Sequence, residues 1–202
     1  MTRPFRHRRA VARVRSFVAI TVVAAALIAA SGSFGKSRNV AAPLVLTASD
    51  VGTSYTRNTG FSRPRTLAEA GNGDSIAIRR QLARKWLAGT QAGFNGVTVP
   101  WGIVSTADVF RAATLASIDR AWHRDLLRVT RGRMQQLPAN APGTNRALVR
   151  GQLQSLETID YMWQHGRVIL SVNLTGKPGA LRLPLLMALA RRQDAKVSHA
   201  GF

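Results

Sequence analysis

Cysteine is absent from the 202-residue chain. That excludes a disulfide framework, a thiolate metal site, a cysteine nucleophile and lipid attachment through an N-terminal cysteine. Acidic residues are scarce: there are nine, against 29 lysines and arginines, and none precedes Asp50. They are too scattered to suggest a catalytic carboxylate pair or a carboxylate metal cage. The four histidines, His7, His123, His165 and His199, show no H-x-x-x-H spacing. No G-x-S-x-G, P-loop or G-x-G-x-x-G motif occurs. No catalytic residue, no metal and no cofactor is therefore expected.

Lysine is also rare, at four residues, so nearly all of the formal charge of +20 is guanidinium. That charge is permanent and suits forked contacts with phosphate or carboxylate. It implies attraction to anionic lipid headgroups or wall polymers. Nucleic acid is not expected, because no recognised binding motif accompanies the charge.

Long apolar runs are absent apart from one. Phe17 to Ala30 is apolar except for Thr21, and it follows Arg3, Arg6, Arg8, Arg9, Arg13 and Arg15. A basic segment, an apolar run and the small residues Ser31-Gly32-Ser33 describe an export signal. As a helix the run spans roughly 21 Å, short of a bilayer core of about 30 Å. Residues 1–30 are thus a cleaved signal peptide or a retained membrane anchor with its C-terminal side outside. Residues 31–43 read as a flexible tether, and 44–202 as an extracytoplasmic domain large enough to bury a core unaided.

Along that domain, Thr47 and Asp50 have the spacing of a capping box. A short strand is expected near 54–58. The stretch 59–73, with Gly60, Pro64, Gly71 and Gly73, reads as a loop. Ile78, Leu82 and Trp86 share a face of a helix over about 75–88. Gln91–Val97 and Gly102–Phe110 read as strands. Leu115, Ile118, Trp122, Leu126 and Val129 form an apolar stripe on a long helix from about 112 to 133. Asn145–Gln154 and Glu157–Gln164 are further strands. His165-Gly166 marks a tight hairpin before Arg167–Leu174. Pro184 suits the first turn of a final helix over about 183–196. The expected fold class is α+β: an antiparallel sheet of five or six strands packed with two or three helices, behind the N-terminal signal or anchor helix.

Two sets of residues point to binding. Tyr161 alternates with Trp163 on one strand, and Trp101 lies at the edge of another. Core packing is the plainer role; lining an apolar groove for a small ligand is the functional one. The basic residues Arg79, Arg80, Arg84, Lys85, Arg120, Arg124, Arg128 and Arg131 fall at helical spacings with few acids to pair them, which suits contact with an anionic surface.

The segments Leu46–Tyr55, Gly89–Phe94, Val104–Phe110, Trp163–Val168 and Ala188–Ala195, in this order, resemble a group of exported actinobacterial-type α/β proteins. That group is uncharacterised in function and distantly similar to the PsbP/Mog1-like α/β sandwich. The resemblance covers roughly 44–197 and implies fold and export, with no catalytic residue to transfer. The expectation is a non-enzymatic cell-envelope module, exported or membrane-anchored, that binds an anionic or amphipathic ligand. Its partners would be the membrane, through the N-terminal segment, and an anionic lipid or wall polymer. A second reading is a structural or assembly subunit docking an envelope protein, and a third is an envelope enzyme.

Overall fold

The computed structural model describes residues 39–70, 85–112, 134–138, 141–153 and 155–202. They form one seven-stranded antiparallel sheet. Its strands are β1 (Tyr55–Arg65), β2 (Trp86–Gly96), β3 (Trp101–Phe110), β4 (Met134–Leu137), β5 (Thr144–Leu153), β6 (Leu156–His165) and β7 (Val168–Gly176). The order across the sheet is β1-β2-β3-β7-β6-β5-β4. Two meanders, β1 to β3 and β4 to β7, thus join along the β3–β7 seam.

The expected α+β class is corrected by this architecture, which is mainly β. Among the described residues the helical elements are a 3-10 turn at Ala42–Leu44, the single turns α1 (Ala48–Val51) and α2 (Leu67–Ala70), and one longer helix, α3 (Leu183–His199). The strand expected at 54–58 continues to Arg65, through a segment whose Gly60 and Pro64 suggest a loop. β1 is an edge strand, where proline is tolerated, and its register to β2 shifts between Asn58 and Arg63. The helix expected to 88 gives way at Trp86, which opens β2 opposite Phe110. Most of that helix, and the long helix expected at 112–133, lie outside the described residues, as do the signal or anchor segment and most of the tether. No helix among the described residues is long and apolar enough to cross a membrane.

The last tether residues are held in place. Asn39 donates through Nδ2 to the Gly89 carbonyl and to Thr90 Oγ1, each at 3.3 Å. In α1, the Asp50 carboxylate accepts the Thr47 backbone N–H at 2.7 Å, as the capping spacing predicts.

The core follows from period-two alternation on β6 and β7. Val168, Leu170, Val172 and Leu174 are fully buried, and the residues between them only partly so. Ile159, Tyr161 and Trp163 lie opposite Leu174, Val172 and Leu170. α3 packs on this face, burying Leu186, Leu189, Ala190 and Val197. Gln193, also buried, donates to the Thr106 carbonyl at 2.8 Å and keys the helix to β3. The hairpin turn falls on Gly166, whose φ of +53° is cheap only for glycine.

Candidate functional site

Every alternate residue of the sheet points away from α3, and this second face is mixed: polar residues such as Asn58, Asn173 and Thr175 alternate there with Val149, Met162, Ile169 and Phe110. One row of direct cross-strand partners crosses all seven strands: Asn58, Gly93, Val104, Asn173, Asp160, Val149 and Gln136. The adjacent row brings Asn95, Gly102, Thr175 and Thr158 together. Partners on an antiparallel sheet sit about 4.5–5.5 Å apart, so residues separated by over a hundred positions become one surface.

These rows enclose a hollow of about 170 Å³ lined by Asn58, Phe61, Gly93, Phe94, Asn95, Gly102, Ile103, Val104, Asn173 and Thr175. Two glycines make the depression. A Cβ on Gly93 would come within 3.0 Å of Phe61, and one on Gly102 within 3.2 Å of the Phe94 carbonyl. The irregular segment of β1 supplies the wall: the Phe61 N–H donates to Asn58 Oδ1 at 3.1 Å, holding the aromatic residue over the hollow.

The polar groups are oriented before any ligand arrives. Asn173 Nδ2 donates to Thr158 Oγ1 at 2.8 Å, and Thr175 Oγ1 donates to Asn173 Oδ1 at 2.7 Å. Asn58 Nδ2 reaches Asn95 Oδ1 at 3.4 Å. Each amide nitrogen carries two N–H groups, so all three asparagines keep a donor to spare. Beside Asn173, the buried Oδ1 of Asp160 has no hydrogen-bond partner. Burial alone pushes this carboxyl up to about 7, because an unpaired charge is costly away from water.

The aromatic candidates lie on the opposite face. Tyr161 and Trp163 are fully buried and stacked, with ring centroids 4.9 Å apart. The Tyr161 hydroxyl donates to the Pro142 carbonyl at 2.7 Å, and burial pushes it up to about 12. Trp163 Nε1 donates to Asp194 Oδ1 at 2.8 Å. Trp101 stands apart from this pair and donates through Nε1 to the Tyr55 hydroxyl at 2.5 Å. Of the eight basic candidates only Lys85 is described, where its carbonyl accepts the Arg111 N–H at 2.7 Å. Arg79, Arg80, Arg84, Arg120, Arg124, Arg128 and Arg131 lie outside the described residues.

The hollow is absent from the sequence expectations. Gly93 within a strand is the one available signal, since such glycines mark close backbone approach. His165 likewise has an unforeseen partner: its Nδ1 lies 2.8 Å from Asp194 Oδ1. Among the described residues no group of three acids or histidines comes together as a metal set.

No protein-family model matches the chain, and no curated protein does. Its fold is similar to that of a mycobacterial extracellular domain. The solved structure is the extracellular domain of PknH from Mycobacterium tuberculosis, with a TM-score of 0.54 and 11% sequence identity. The match covers 79% of this chain and 95% of that one. At this identity the likeness is one of fold.

Away from the hollow, the described acids are largely committed. Asp50 pairs with Lys196 at 2.9 Å, Glu157 with Arg150 at 2.6 Å, Glu69 with Arg63 and Asp108 with Arg65. Asp194 takes His165. Asp160 lies outside all of these pairs.

Proposed function

We propose that this chain is a non-enzymatic extracytoplasmic module that binds an amphipathic ligand on the second face of its sheet. The observation that carries the reading is the hollow itself, where three asparagine amides and a threonine hydroxyl converge beside Phe61 and Val104. A ligand with a polar head and an apolar flank matches that lining. Among the described residues no basic side chain lines the hollow, so the amphipathic half of the expectation fits it better than the anionic half. The excess of arginine has a separate role in this reading. Arg182 and Arg191 are exposed, and they would bring the domain towards an anionic lipid or polymer surface.

The extracytoplasmic place rests on the basic and apolar N-terminal segment, and on a fold shared with a domain described as extracellular. The narrower kinship with exported actinobacterial-type, PsbP/Mog1-like proteins rests on the motif segments alone. Native mass spectrometry of the full chain, released gently from its own membranes, tests the function. An added mass that leaves on denaturation, and is reduced in Asn173→Leu, is expected. Bare protein in every preparation would contradict it.

A further inference from the structure

Resting on that reading, we infer that the hollow takes an uncharged, hydroxyl-rich ring: a single sugar unit, free or as the head of a glycolipid. Four features of the site lead there. Among the described residues its lining holds no ionised side chain, so a charged head would lose its hydration without gaining a counter-charge from them. A neutral head avoids that loss.

The lining groups are also of the right kind. Amides and hydroxyls donate and accept at once, as sugar hydroxyls do. Asn58, Asn95 and Asn173 each keep an unused N–H for a hydroxyl oxygen.

Shape agrees with chemistry. Phe61 is only partly buried, and it is fixed over Gly93, giving an aromatic surface for the apolar C–H face of a ring. The hollow, at about 170 Å³, falls below the roughly 300–1,000 Å³ of pockets that enclose drug-sized ligands. It suits one ring with further substituents directed outward.

Saturation-transfer NMR on the full chain in phosphatidylcholine nanodiscs tests this. The probes are methyl glucoside, methyl mannoside, N-acetylglucosamine, octyl glucoside below micelle formation, and phosphocholine as the charged control. Transfer to glycoside ring protons, absent from phosphocholine, is expected. Asn95 is exposed, so Asn95→Ala leaves the fold intact, and it should weaken glycoside affinity about tenfold, the equivalent of 1.4 kcal/mol. Asn58→Ala should act in the same direction. Stronger transfer to octyl glucoside rings than to methyl glucoside would assign a glycolipid source, and equal transfer a free glycan. Transfer confined to octyl-chain protons would overturn the sugar assignment while leaving the amphipathic reading standing. No transfer to any probe, or transfer unaffected by both substitutions, would overturn it outright.

Discussion

Asp160 and Asn173 face each other as direct cross-strand partners on β6 and β7, yet they form no hydrogen bond. The amide turns to Thr158 and leaves the carboxyl with an unsatisfied oxygen. Asn173 is thus held by Thr158 and Thr175, while the Asp160 carboxyl keeps one buried oxygen without a partner.

That pair gives a pH dependence. Burial holds Asp160 at about 7, above its ordinary 3.8. The unfolded chain therefore releases this proton near pH 4, and the folded chain only near 7. Between those values the folded state binds more protons, so the stability contributed by Asp160 falls as pH rises, by up to about 4 kcal/mol. Asp160→Asn removes the titration. Urea midpoints should show the variant gaining on the wild type at pH 8 and little changed relative to it at pH 4. An equal difference at both pH values would refute the assignment.

Asp194 joins α3 to the β6–β7 hairpin by accepting from Trp163 and lying against His165. Asp194→Ala strands the indole N–H of a fully buried tryptophan. Denaturation followed by circular dichroism should show a loss of about 1–3 kcal/mol. Asp194→Asn retains an acceptor oxygen and should recover much of it.

Asp108 sits at the far end of the second face, paired with Arg65 and accepting from Trp86 Nε1 at 3.1 Å. Burial pushes its carboxyl up, against the opposing pull of the Arg65 guanidinium and the indole N–H. Asp108→Ala leaves a nearly buried guanidinium uncompensated and should cost about 3–5 kcal/mol in urea denaturation. A loss no larger than that of a surface substitution would show the pair to be incidental.

Gly93 forms the floor of the hollow. Gly93→Ala brings a methyl group to 3.0 Å from Phe61, so the aromatic residue must move. A stability loss of about 1–3 kcal/mol should accompany a larger loss of ligand affinity than of fold, measured by thermal melting beside native mass spectrometry. Unchanged affinity would place the ligand elsewhere.

Much of the β5-to-α3 half is legible in the sequence where alternation is local, whereas the short strand β4 (Met134–Leu137) is not foreseen there. Ile159, Tyr161 and Trp163, the turn after His165, and Val168 to Leu174 lie together in sequence and in space. Pro184 and Thr47 likewise mark the starts of helices. β1 is hidden because Gly60 and Pro64 signal a break, which an edge strand absorbs. Trp86 fits a helical stripe as well as a strand end, and only its pairing with Phe110 decides. The hollow is hidden for a different reason. Asn58, Asn95 and Asn173 are ordinary polar strand residues one at a time. They become a site only through the registers of β1, β2, β3 and β7, which no local pattern encodes. Tyr161 and Trp163 are conspicuous because they are large, and size is also what places them in the core.

The most direct test asks which face of the sheet meets the ligand. Side-chain amide resonances of Asn58, Asn95 and Asn173, and the indole N–H resonances of Trp101 and Trp163, can be followed in one titration with octyl glucoside below micelle formation. The asparagine signals should shift and saturate together while both indole signals stay in place. Saturable indole shifts with unmoved asparagines would put the ligand between the sheet and α3, and would contradict the second-face site.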